Sequence, residues 1–277
     1  MGKGALVNRI IFGLLFLVVV IGALLHPVAL LVLCAFLGVT LALEFYRMTC
    51  TRRYWKEEAL VIVTLVLMTI LYFFTLYAAL PARWMLLGLV PVMDAWICQL
   101  FDGADGHEFV TAPYFPLIYV LPMLLSLLRL GFPGGVFSWK LNLGIFVLVW
   151  CCDIGAYCFG MLFGQRPNSR KLFPALSPKK SWIGVVGGTL FTFLAAWAVW
   201  ALWGAEVMAL FHWMMLAVIV SALGVVGDLY ESLIKRHAGV KDAGRLIPGH
   251  GGVLDRFDDG LFVFPVAAIY LVLLQLI

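Results

Sequence analysis

Asp228, Glu231, Ser232 and Lys235 are spaced i, i+3, i+4, i+7 within DLYESLIKRHAGVKDAGRLIPGHGGVLDRFDD, residues 228–259. On a helix these four form one polar stripe. Gly239 is placed to end that helix. The turn Pro248-Gly249-His250-Gly251-Gly252 follows, and such a glycine run lets backbone N–H groups come close to an anion. Asp255, Asp258 and Asp259 come next at i, i+3, i+4, again on one helical face. Two carboxylate-bearing faces therefore flank a Gly-rich turn and the cations Lys235, Arg236, Lys241, Arg245 and Arg256. A basic loop alone would suit anionic lipid headgroups, which clustered carboxylates repel. Carboxylates with Lys, Arg and glycine fit metal–phosphate chemistry: Asp oxygens hold Mg²⁺ while cationic side chains take phosphate oxygens.

A second candidate anion site is Ser177-Pro178-Lys179-Lys180-Ser181. Ser followed by Pro reads as an N-cap and first helical residue. The positive helix end and two lysines then coincide. Gly184, Gly187 and Gly188, just beyond, read as positions where helices pack closely. Asp153-Ile154-Gly155-Ala156-Tyr157 puts an acid and small residues inside an apolar run, as expected of a helix beside a site. Of the five histidines only His250 has a suggestive setting. The six cysteines lie in or beside apolar runs without zinc-ligand CxxC spacing and read as packing residues. Dinucleotide and phosphate-loop glycine motifs, HExxH and GxSxG are all absent.

The elements that must carry these residues are set by composition. Of 277 residues, 64% are hydrophobic and 12% charged, with a mean hydropathy of +1.05. An ordinary soluble domain is about 45–50% apolar and about 25% charged. The apolar residues fall in long runs, which excludes a soluble globular, disordered or coiled-coil chain. We expect an all-α polytopic membrane protein with about nine spans of ~21 residues, at 6–25, 28–46, 59–80, 83–100, 114–130, 141–163, 182–204, 207–227 and 260–277. The runs lack two-residue alternation, and strands are not expected to form them. The first span is read as uncleaved, since no small-x-small site precedes His26-Pro27. The whole is one integral membrane domain over 1–277, with N-terminal helices in 1–113 and catalytic helices in 114–277.

With the N-terminus in the cytoplasm, 16 of the 19 Lys and Arg residues fall on inside segments. This is a strong positive-inside bias, and it accounts for the net charge of +4 without invoking nucleic acid. The segments 164–181 and 228–259 then share the cytoplasmic face, with the active site at the cytoplasmic helix ends. Acids inside spans are costly and so are candidates for function; Glu44, Asp94, Asp153 and Asp228 are expected toward this same face.

The stretch Ser232 to Asp258 resembles the C-terminal pattern of the phosphatidate cytidylyltransferases (CDP-diacylglycerol synthases), S-x-x-K-R-x4-K-D-x-G-x2-[LI]-P-x-H-G-G-x2-D-R-x-D. Ser232, Lys235, Arg236, Lys241, Asp242, Gly244, Ile247, Pro248, His250, Gly251, Gly252, Asp255, Arg256 and Asp258 all match. Residues 153–157 and 177–181 also look like motifs of that family, and the polytopic layout agrees. The resemblance implies transfer of the cytidylyl group of CTP to phosphatidic acid, giving CDP-diacylglycerol and pyrophosphate for phospholipid synthesis. It implies Mg²⁺ and a paired-cation centre, with K⁺ a candidate for the second ion. It places the metal aspartates on Asp228 and Asp255. With it we expect Lys179, Lys180, Lys235, Arg236 and Arg256 on phosphates, and Ser177, Ser181, Ser232, Lys241, Gly251 and Gly252 around the nucleotide. His250 and Asp153 are site residues without an assigned role. The expected setting is a bacterial inner membrane, and a homodimer is a candidate assembly. The rival readings are an ion transporter, a CDP-alcohol phosphotransferase and a silent scaffold. The first predicts inverted repeats and the second a D-G-x2-A-R pattern, neither of which is seen. The third would tolerate loss of Asp255.

Overall fold

A computed structural model of the chain describes residues 3–49, 55–88, 115–166, 169–247 and 251–277. Among these, the α-helices are α1 (Lys3–Leu24), α2 (Pro27–Thr49), α3 (Trp55–Tyr77), α4 (Phe115–Gly131), α5 (Lys140–Leu162), α6 (Trp182–Leu202), α7 (Leu210–His237) and α8 (Leu254–Leu273). Each matches an expected span to within a few residues at its apolar part. Of the span expected at 83–100, Ala82–Gly88 forms a 3-10 helix and the rest lies outside the described residues. By length and composition α2, Glu58–Tyr77 of α3, α5, α6 and α7 can each cross a membrane, and the protein is an all-α membrane protein. Its helices are apolar over most of their surface, and many large side chains, such as Leu14, Val32, Leu190 and Trp197, remain exposed. That is the surface a bilayer covers.

Packing divides the chain into two units. The first comprises Met1–Phe137 and Ala238–Phe257. In it α2 presents Leu30, Leu33, Leu37, Leu41 and Phe45, all buried, at helical spacing. This face packs against α3 and α4, where Leu65 on α3 and Val120, Leu124 and Leu127 on α4 are all 0% exposed. Phe45 stacks on Phe115 with ring centroids 5.2 Å apart.

The second unit comprises Ser138–His237 and Asp258–Ile277. Its centre is the α5–α6 pair, brought to backbone contact by glycine. A Cβ at Gly187 would stand 2.3 Å from Phe159 Cγ, and one at Gly155 would stand 2.6 Å from the Gly187 carbonyl oxygen. The close-packing role expected of Gly184, Gly187 and Gly188 is what the helices show. Between α5 and α6 the chain forms an antiparallel hairpin, β1 (Lys171–Phe173) with β2 (Ser177–Ser181).

That hairpin corrects one expectation. Ser177 and Pro178 do not start a helix: they lie in β2, paired back to β1. Strand pairing keeps the chain extended through Ser181, which has φ −132° and ψ 152°. Ser181 is therefore the N-cap of α6, and its Oγ accepts from the Gly184 N–H at 3.3 Å.

Candidate active site

Helix α7 has 28 residues, about 42 Å at 1.5 Å per residue. A hydrocarbon core is about 30 Å thick, so the last turns can stand clear of it. Those turns carry Asp228, Glu231, Ser232 and Lys235, and the helix ends at His237, followed by Gly239 at φ +67°. The helical stripe is thus as expected.

What faces the stripe comes from α8. A Cβ at Gly227 would stand 2.5 Å from the Asp258 carbonyl oxygen. Only glycine lets α8 approach α7 this closely, and the approach sets acid against acid. Carboxylate oxygens of Asp228, Glu231 and Asp258 lie within 4.8 Å of one another. Glu231 is 0% exposed. Lys180 pairs with Asp228 and Lys235 with Glu231, so three carboxylates meet two ammonium groups there. A buried carboxylate persists only where cations or hydrogen bonds compensate it. Three hard oxygen donors with a surplus of negative charge fit a divalent cation such as Mg²⁺.

Beside the cluster is a cavity of about 490 Å³. Its lining combines aliphatic residues, including Val149, Val185, Val220 and Val225, with Asp153, Lys179, Lys180, Asp228 and Asp259. The hairpin is fastened where it delivers its lysines. Lys171 Nζ donates to the Gly164 carbonyl at 2.9 Å and to Gln165 Oε1 at 3.1 Å. Gln165 Nε2 donates to the Lys179 carbonyl at 3.0 Å. Ser181 lines the same cavity, whereas Ser177 is half-buried on β2. Ser232 is buried on α7 and Arg236 is exposed near its end.

The remaining expected residues belong to the first unit. Lys241 is exposed. Asp255 accepts from the Ala243 N–H at 3.0 Å and from the Gly252 N–H at 2.8 Å. Gly251, at φ +87°, would place a Cβ 2.7 Å from Asp255 Oδ2, and Gly252 would place one 2.5 Å from Glu44 Oε2. These glycines make room for carboxylates, and the Gly252 N–H is already engaged by one. Glu44, expected as an acid of the site, accepts from the Val253 and Leu254 N–H groups. Arg256 is exposed on the first turn of α8. Asp94 and His250 lie outside the described residues.

Sequence reasoning put Glu231 and Asp258 on the right faces but gave neither a metal role. The available signal was spacing: each stands three residues after an expected metal aspartate, Asp228 and Asp255.

A cytidylyltransferase family model matches residues 7–274, and the chain belongs to that family. Curated relatives include a phosphatidate cytidylyltransferase of Staphylococcus saprophyticus, 44% identical over 127 residues. Others are a phosphatidate cytidylyltransferase of Staphylococcus epidermidis, 43% identical over 127 residues, and one of Staphylococcus aureus, 43% identical over 129 residues. Each match covers 46% of this chain and 47% of the relative; the chain spans about half the length of the curated relatives it matches.

Proposed function

We propose that this member of the cytidylyltransferase family transfers the cytidylyl group of CTP to phosphatidic acid. A phosphate oxygen of the lipid attacks the α-phosphorus of CTP. The bond from that phosphorus to the bridging oxygen breaks, pyrophosphate leaves, and CDP-diacylglycerol remains. The lipid phosphate is already ionised at neutral pH, so the attack needs no general base.

One observation carries the reading. The cavity lining combines aliphatic side chains with carboxylates and lysines. An amphiphilic phosphate and a nucleotide triphosphate need both. Lys179, Lys180 and Lys235 are assigned to phosphate oxygens, with Arg236 and Arg256 as further cations. Asp228, Glu231 and Asp258 are assigned to Mg²⁺, which when bound neutralises charge gathering on the two substrates. Asp255 keeps its place as a metal aspartate in this reading, and K⁺ is assigned to the second cation position. Asp153 borders the nucleotide, as do Ser181, Ser232 and Lys241; Ser177 supports the hairpin, and His250 is a site residue. Gly251 supplies close backbone approach.

The positive-inside bias supports an inner-membrane protein whose site faces the cytoplasm. CTP arrives from the cytosol and phosphatidic acid from the bilayer. A homodimer goes with this reading. The test is a purified preparation in detergent with phosphatidic acid, Mg²⁺ and α-labelled CTP. Label in the lipid phase is the expected result. Ion flux in vesicles without nucleotide turnover would replace this reading with a transporter.

A further inference from the structure

We infer that Glu44 is a positioning residue for the proposed metal aspartate Asp255: its carboxylate, delivered from α2, seats the N-terminus of α8 and so sets where Asp255, Gly251 and Gly252 stand. The inference rests on the proposal that Asp255 is a metal aspartate and that Gly251 belongs to the site.

Glu44 is 6% exposed. Its two oxygens are used separately: Oε1 accepts from Val253 N–H at 3.1 Å and Oε2 from Leu254 N–H at 2.8 Å. The first N–H groups of a helix have no partner within it, and a negative charge at that end is favourable. Two bonds to two oxygens also fix the rotation of the carboxylate, which a single bond would not. These contacts join residues 209 and 210 positions apart in the chain.

The surroundings are shaped to this one side chain. A Cβ at Gly244 would stand 2.2 Å from Glu44 Oε1, and one at Gly252 would stand 2.5 Å from Oε2. The next N–H upstream, that of Gly252, goes to Asp255. Three consecutive backbone donors, at residues 252–254, are thus consumed by two carboxylates. Asp255 is held on one side by its own bonds to residues 243 and 252, and on the other by the helix start that Glu44 seats. Moving Glu44 frees that start.

The test compares Glu44→Gln, Glu44→Asp and Gly244→Ala with wild type. Three quantities are read: hydrogen exchange at residues 251–255, Mn²⁺ affinity by electron paramagnetic resonance, and Mg²⁺-dependent transfer. The Gln amide keeps one acceptor and turns a donor toward the other N–H. Exchange at 253 and 254 is expected to quicken, and metal affinity to fall by about 10- to 100-fold, as for loss of groups that orient ligands. Glu44→Asp keeps the charge and is expected to recover part of both. If Glu44→Gln does not fold, Gly244→Ala carries the test, because it displaces the carboxylate without removing it. Faster exchange with unchanged metal affinity would reduce Glu44 to a fold contact and overturn the inference. Unchanged exchange would overturn the contact itself. Wild type that binds Mn²⁺ but transfers no label would sink the proposed function and leave the Glu44 result standing.

Discussion

Asp228 and Glu231 share one helix face, and Asp258 meets them from another helix within 4.8 Å. Each carboxylate should therefore be worth more to the metal than to the fold. Asp258→Asn and Glu231→Gln are expected to lower transfer by about 100-fold or more, beyond what losing a ligand's supporting partner costs. Raising Mg²⁺ should restore part of it. Activity at wild-type level in both variants, measured at limiting Mg²⁺, would remove the cluster from the mechanism. Lys180 pairs with Asp228 on the cavity wall, so Lys180→Met should raise the KM for CTP. Lys180→Arg should recover only part of the loss, since a planar fork does not replace a point charge. At this scale the sequence was informative wherever spacing along one helix decided the outcome. It could not say that Asp258 would meet Glu231, because that depends on how closely α8 approaches α7, and one glycine, Gly227, decides the approach. Nor could it distinguish Asp255 as a metal aspartate from Asp255 as an acceptor of backbone N–H groups.

The elements test the correction at the start of α6. Ser181→Ala should cost about 1 kcal/mol, the usual loss of a capping oxygen. Ser177→Ala should change stability by no more than ~0.5 kcal/mol. Thermal unfolding in detergent reads both, and the reverse order would return the cap to Ser177. Gly187→Ala sets a Cβ 2.3 Å from Phe159 Cγ and should destabilise the α5–α6 pair by about 1–3 kcal/mol. A melting temperature equal to wild type would mean that the helices part more easily than their geometry indicates. Both the helices and the glycine packing were legible, because lipid leaves few choices for an apolar run. The hairpin was not. Its strands are only three and five residues long, and Ser-Pro is as good a helix start as it is a strand dipeptide. Only the pairing of residues 171–173 with 177–181 decides between them.

The orientation of the whole chain rests on where its cations fall. In a background without the six native cysteines, Pro178→Cys and Lys241→Cys should react with an impermeant thiol reagent from the cytoplasmic side. Val136→Cys and Val207→Cys should react only from the other side. Labelling of all four from one side would break the alternation on which the proposed cytoplasmic placement of the site depends. Which spans pair with which was not legible in the chain: hydrophobic patterning says that a face is buried and not what buries it. Residues 238–257 pack with the N-terminal helices, a grouping that chain order does not suggest.

In the proposed reaction, cytidylyl transfer runs on a cation held by the Asp228 cluster. It is tested most directly by titrating Mg²⁺ against label transfer from CTP to phosphatidic acid, in wild type and in Asp228→Asn. Saturable transfer is expected in wild type and, in Asp228→Asn at equal amounts of folded protein, transfer reduced by about 100-fold with a higher Mg²⁺ requirement. Equal transfer by both proteins with the same Mg²⁺ midpoint would contradict it.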